Sequence, residues 1–190
     1  MSGYTLTQPE LYYTYDQAAT ISVVSASAVT ITATYPVCEI YGGWFSTLGA
    51  KSTSLKLKMG GLITATATVP SFVFSLYLST TNAFAATTLL VAGAANTPSA
   101  AANAWWNMDV DIALRALAPG AAATISAHGE IRSPVFASPF MVSMPAAGAY
   151  SPLAAYSADA NAYLWPTLTL GAATAGNQVT TQYMKLYGEN

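Results

Sequence analysis

Few residues in this chain have types and spacings that could carry chemistry. Asp109 and Asp111 stand two apart in "WWNMDVDIALRALAPG". On an extended strand their side chains would lie about 6–7 Å apart on one face. That is near the separation of the paired carboxylates of glycoside hydrolases. His128 is the only histidine, so a Ser–His–Asp or Cys–His arrangement must use it. Cys38 is the only cysteine and cannot form an internal disulfide. It reads as a reduced, buried thiol.

None of these groups finds the company its chemistry needs. Glycosidase acids flank a sugar from two elements, and nothing in the sequence supplies a second wall opposite Asp109 and Asp111. No "GxSxG" or comparable nucleophile context accompanies His128, which alternation places beside Glu130 on an outer face. One His, one Cys and scattered acids give no metal-ligand spacing. The Gly pairs at 42–43 and 60–61 lack the Lys-Ser/Thr and the helix of a phosphate loop, and read as turns. The aromatic set Tyr12, Tyr13, Tyr15, Tyr41, Trp44 and Phe45 reads as core or interface packing, with carbohydrate stacking as the alternative. No catalytic, cofactor or metal site is expected, and the chain is not expected to be an enzyme.

The elements that would position these residues follow from periodicity. Trp106, Met108, Val110, Ile112 and Leu114 are apolar at every second position, with Asn107, Asp109, Asp111 and Arg115 between them. A helix would scatter these apolar residues around its cylinder, whereas a strand collects them on one face. "SLKLKM", "SFVFSLYLS" and "ATISAHGEIR" repeat the rhythm, and "TISVV", "VTITATY" and "LITATATV" are β-branched. "YLWPTLTL" and "VTTQYMKLYG" suggest a final pair, with Pro166 demoting its strand to an edge or a bulge. Frequent turn signals between eight to ten such runs predict an all-β, jelly-roll-like antiparallel sandwich. "NTPSAAANAWW" reads as a surface connection with room for no more than a helical turn.

Two segments lack the rhythm. Residues 1–19 read as an N-terminal extended arm rich in tyrosine. Residues 133–163 read as a long Pro/Ala-rich loop packed on something, inside one sandwich domain spanning 20–190. Loops this long in compact domains usually carry function. Tyr4, Leu11, Tyr12, Tyr13 and Tyr15 in the arm, with Phe136, Phe140, Met141 and Met144 in the loop, are the expected contact residues for a partner.

Composition narrows the partner. Charged residues make up 7% of the 190, against about 25% in ordinary domains. A net charge of −2 with six scattered basic residues excludes phosphate neutralisation, so no nucleic acid is expected. Polar residues interrupt every apolar run before the roughly 20 residues of a membrane span, and no membrane partner is expected. "MSGYTLTQPE" has neither a basic start nor an apolar h-region, so no signal peptide is expected. Low charge suits a subunit whose surface is covered by neighbours.

The succession "LKLKMGGLITATATVPSFVFSLYLSTTN", "NAWWNMDVDIALRALAPGAAATISAHGEI" and "QVTTQYMKLYGEN" resembles a family of virion proteins of tailed phages, especially those of actinobacteria. Its members are described as minor capsid, head decoration or minor tail proteins. The matching positions are Gly61, Pro70–Leu78, Trp106–Leu114 and Thr124–Gly129, within residues 20–190. The 133–163 segment departs from the family pattern. The resemblance implies a jelly-roll-like sandwich that assembles, often as a homotrimer, on the outer surface of the capsid and binds the major capsid protein. It offers no catalytic residues and no cofactor. A tail or fibre-tip module that binds host-surface glycan is the alternative.

Overall fold

The computed structural model describes residues 10–15, 19–22, 29–30, 38–40, 54–66, 71–84, 87–116, 123–136, 141–145, 154–156, 160–172 and 174–189. Thirteen strands form among them: β1 (Glu10–Tyr15), β2 (Ala19–Ser22), β3 (Val29–Thr30), β4 (Cys38–Ile40), β5 (Ser54–Ala65), β6 (Phe72–Ser79), β7 (Thr87–Ala92), β8 (Ala101–Ala116), β9 (Ala123–Arg132), β10 (Met141–Met144), β11 (Ala154–Tyr156), β12 (Ala162–Leu170) and β13 (Gln178–Glu189). They build two antiparallel sheets packed face to face, the all-β sandwich that the alternation predicts. The larger has eight strands along the path β1-β13-β5-β8-β9-β10, with β2 also on β13 and β11 also on β9. The smaller has five, along β3-β12-β6-β7, with β4 also on β12.

One arrangement recurs three times. The long strands β13, β9 and β12 each carry two short strands end to end along one edge. On β13, β1 covers Met184–Gly188 and β2 covers Gln178–Thr181. Edges broken into short pieces offer a poor template for pairing with another chain.

The core lies between the sheets because both inner faces are apolar at every second position. Leu55, Leu57, Met59 and Ile63 of β5 point inward, as do Trp106, Met108, Val110 and Ile112 of β8, all at most 2% exposed. Phe72, Phe74, Leu76 and Leu78 of β6 and Leu164, Leu168 and Leu170 of β12 face them. Phe74 ties the layers together, with its ring centroid 5.5 Å from that of Trp106 and 6.3 Å from that of Phe136. Each such side chain taken from water contributes about 1.5–3 kcal/mol.

Four local expectations change. Residues 10–15, expected as part of an arm ahead of the first strand, form β1, because the free edge of β13 supplies ladder partners that "ELYYTY" does not advertise. The 133–163 segment is not loop throughout: it supplies β10, β11 and the start of β12. In "NTPSAAANAWW", Asn96 exchanges two backbone hydrogen bonds with Phe72, and β8 already begins at Ala101. Pro166 does not mark an edge strand, since β12 is flanked by β6 on one side and by β3 and β4 on the other. Proline cannot donate to a ladder, so its nitrogen must face away from its partner Leu76. On that far side β4 pairs with Ala162–Leu164 and β3 with Thr167–Leu168, and Pro166 falls in the interval between them.

Candidate functional site

The outward positions of β13, β5, β8 and β9 stand in register and form rows across the larger sheet. One row runs Tyr183, Gly60, Asn107, Arg132; the next Lys185, Lys58, Asp109, Glu130; the third Tyr187, Lys56, Asp111, His128. Lys56, Lys58, Asp109 and Asp111 each sit between inward apolar residues, which is why the same two-residue rhythm that builds the core also gathers the charge.

The rows are knit by ion pairs. Lys56 Nζ lies 3.3 Å from Asp109 Oδ1 and 3.2 Å from Asp111 Oδ1. Lys58 Nζ reaches Asp109 Oδ2 at 3.7 Å, and His128 Nε2 lies 3.7 Å from Asp111 Oδ2. Arg132 pairs with Glu130 on the same face of β9. The Tyr183 hydroxyl donates to Asn107 Oδ1 at 2.9 Å, passing over Gly60. Burial lowers the pKa of the Lys56 ammonium, but its hydrogen bond to Asp111 and the charges of Asp109 and Asp111 outweigh burial and leave it above its ordinary value. Burial, then the Asp109 charge and Tyr187, push the Tyr183 phenol up.

Asp109 and Asp111 therefore share one strand face with a lysine ammonium between them. What this lattice does chemically is hold β5 against β8 and present a charged, polar surface. Two shallow grooves cut into it. One of about 230 Å³ is lined by Asn107, Asp109, Glu130 and Arg132, and one of about 340 Å³ includes Lys56, Asp111 and His128. No group of three or more His, Cys, Asp or Glu suited to a metal ion occurs among the described residues.

The outer side of the smaller sheet is different in kind. Its five strands contain one charged residue, Glu39, whose carboxylate accepts a hydrogen bond from Asn161 Nδ2 at 2.6 Å. The strands of the larger sheet contain ten. Leu89, Tyr77 and Trp165 stand in register across β7, β6 and β12. Phe84 packs against the two aromatic rings, 5.6 Å from Tyr77 and 6.0 Å from Trp165 between ring centroids. Leu89 is 37% exposed.

The contact residues expected from sequence scatter. Tyr4 and Phe140 lie outside the described residues. Leu11, Tyr12, Tyr13 and Tyr15 belong to β1, of which the backbone pairing with β13 is described and the side chains are not. Phe136 and Met144 are core residues, each 2% exposed, because the turn after β9 and the strand β10 fold inward over the sandwich. Met141 remains outside, at 39%. Trp105, Lys56, Lys58, Arg132 and Tyr183 were not singled out by sequence. The signal for the lysines was there, since "LKLK" and "DVD" alternate in the same phase with opposite charge. No known family model matches the sequence, and neither a curated protein nor a solved structure matches it.

Proposed function

We propose that this chain is a virion structural protein of a tailed phage, a decoration or minor capsid protein that clads the head and works without chemistry. It sits on the outer surface of the capsid as a homotrimer, docks on the lattice of the major capsid protein through the side of the smaller sheet, and turns the charged face of the larger sheet to water. The observation that carries this reading is the segregation of charge: ten charged residues in the strands of one sheet and one in those of the other. Burying a charge without a partner costs several kcal/mol, whereas burying apolar surface returns roughly 25 cal/mol per Å². The face around Leu89 and Tyr77 is thus the cheaper one to cover. Three such contacts made together multiply modest single affinities.

The test is co-sedimentation of the purified chain with empty tailed-phage heads, beside sedimentation equilibrium of the chain alone. The reading expects saturable binding, a mass of three copies, and about tenfold or greater loss of binding in Leu89→Asp with unchanged far-ultraviolet circular dichroism. Protein that stays in the supernatant overturns the capsid assignment. Undiminished binding by Leu89→Asp overturns the choice of docking face.

A further inference from the structure

We propose that the outer face of the larger sheet along β8, where grooves run from Asn107 to Asp111 and Trp105 stands at the next outward position beyond them, is a binding site for a neutral oligosaccharide chain. Trp105 is 47% exposed, more than any other large apolar side chain among the described residues. It holds the position next to Asn107 on the outward face of β8, and its carbonyl accepts a 2.8 Å hydrogen bond from Ser133 Oγ. An indole left in water on a fixed strand among polar neighbours is a platform: its face takes the C–H side of a ring while nearby polar groups take the edge.

The polar groups are in place beside it. The two grooves adjoin at Asp109 and Glu130, which line both, and follow one another along Asn107, Asp109 and Asp111 on the β8 side and Arg132, Glu130 and His128 on the β9 side. Six residue steps from Trp105 to Asp111 span about 20 Å on a strand. That length suits a chain of several sugar rings better than one ring. The side chains stand on paired strands, so little ordering remains to be done when a ligand arrives.

Charge decides the class. Lys56, Lys58 and Arg132 are paired with Asp109, Asp111 and Glu130, so each carboxylate lining the grooves has a cation beside it, while Lys185 stands further out on β13. An anion or a cation would have to break one of these pairs to gain its own. A hydroxyl can donate to a carboxylate and accept from Arg132 or Asn107 while every pair stays intact. A neutral polyol is therefore the ligand the grooves favour over an acidic or basic polymer.

The site lies on the face opposite the proposed docking face, and its test uses the isolated chain, so it stands or falls apart from head binding. Tryptophan emission of the full chain is followed during titration with cellohexaose, maltohexaose and laminarihexaose, with hexagalacturonate as the anionic comparison, and each titration is repeated by calorimetry. The expected result is a saturable change with at least one neutral hexamer, weaker binding of the anionic one, and about tenfold or greater loss in Trp105→Ala. Trp105→Tyr keeps part of the affinity. Trp105 is exposed, so its alanine variant is checked for an unchanged urea midpoint. No heat or emission change with any neutral hexamer at millimolar concentration overturns the proposal. So does undiminished binding by Trp105→Ala, or tighter binding of hexagalacturonate.

Discussion

The indole Nε1 of Trp106 donates to the carbonyl of Thr180 at 3.3 Å, although β5 lies between their strands. Gly61 of β5 is the residue in register with both Trp106 and Thr181, and β13 bulges between Thr181 and Tyr183. A Cβ on Gly61 would sit 1.8 Å from the Thr180 oxygen. The missing side chain is what lets that carbonyl come in and lets the indole reach it.

Gly61→Ala should therefore cost about 3 kcal/mol or more, since the obstacle is backbone and cannot rotate away. Trp106→Phe keeps a ring in the core but removes the donor, and should cost about 2–3 kcal/mol. Urea unfolding followed by circular dichroism measures both. A Gly61→Ala protein within about 0.5 kcal/mol of the parent would show that the bulge is not held as described.

Lys56→Met leaves Asp109 with Lys58 and Asp111 with His128 alone. The pairs are partly exposed, with Lys56 27% exposed, so the loss should be about 1 kcal/mol or less. It should shrink further in about 1 M salt, where charges are screened within about 3 Å. Adding Asp111→Asn to Lys56→Met should recover part of it, as removing the Asp111 carboxylate relieves its repulsion with Asp109 on the same strand face. A salt-independent loss above about 3 kcal/mol would mean that the lysine stem, and not its charge, carries the contact.

Lys56 and Tyr183 both hold their protons more tightly in the folded chain than the ordinary values of 10.5 and 10.0. Their contribution to stability is complete below those values and disappears as pH rises through the folded ones. Urea midpoints should show no loss from these two groups between neutrality and about pH 9, and a decline beyond pH 10. Tyr183→Phe should make that decline shallower. A variant that follows the parent curve throughout would remove Tyr183 from the account.

Phe136 and Met141 separate burial from exposure within one segment. Phe136→Ala empties a site against Phe74 and should cost about 3–5 kcal/mol, a large share of the 5–15 kcal/mol typical of a domain. Met141→Ser should change stability by less than about 0.5 kcal/mol. Thermal melts of the two variants distinguish core from surface directly, and equal losses would contradict the placement of either.

The strands around "SLKLKM" and "NMDVDIALRA" were legible because alternation is a property of one extended chain: neighbouring side chains must point to opposite faces. That Asp109 and Asp111 would share an outer face was legible for the same reason. That Lys56 would lie between them was not, because the register of β5 on β8 depends on a pairing across 35 residues of intervening chain. "ELYYTY" has no rhythm to read, and became β1 through an edge that β13 offered. Phe136 and Met144 looked like contact residues because an aromatic or a methionine outside an alternating run serves a partner or a core equally well.

Pro166 shows the division most plainly. The residue by itself determines that one backbone position in β12 cannot donate a hydrogen bond, and this holds in any fold. Whether that makes an edge or a central strand depends on what stands alongside. The sandwich answers by setting β3 and β4 on either side of the gap. Local composition determined which faces are apolar, which charged and where the ladder must break. Tertiary structure decided which strands meet, and so which charges pair, because those contacts exist only once distant segments have been brought together.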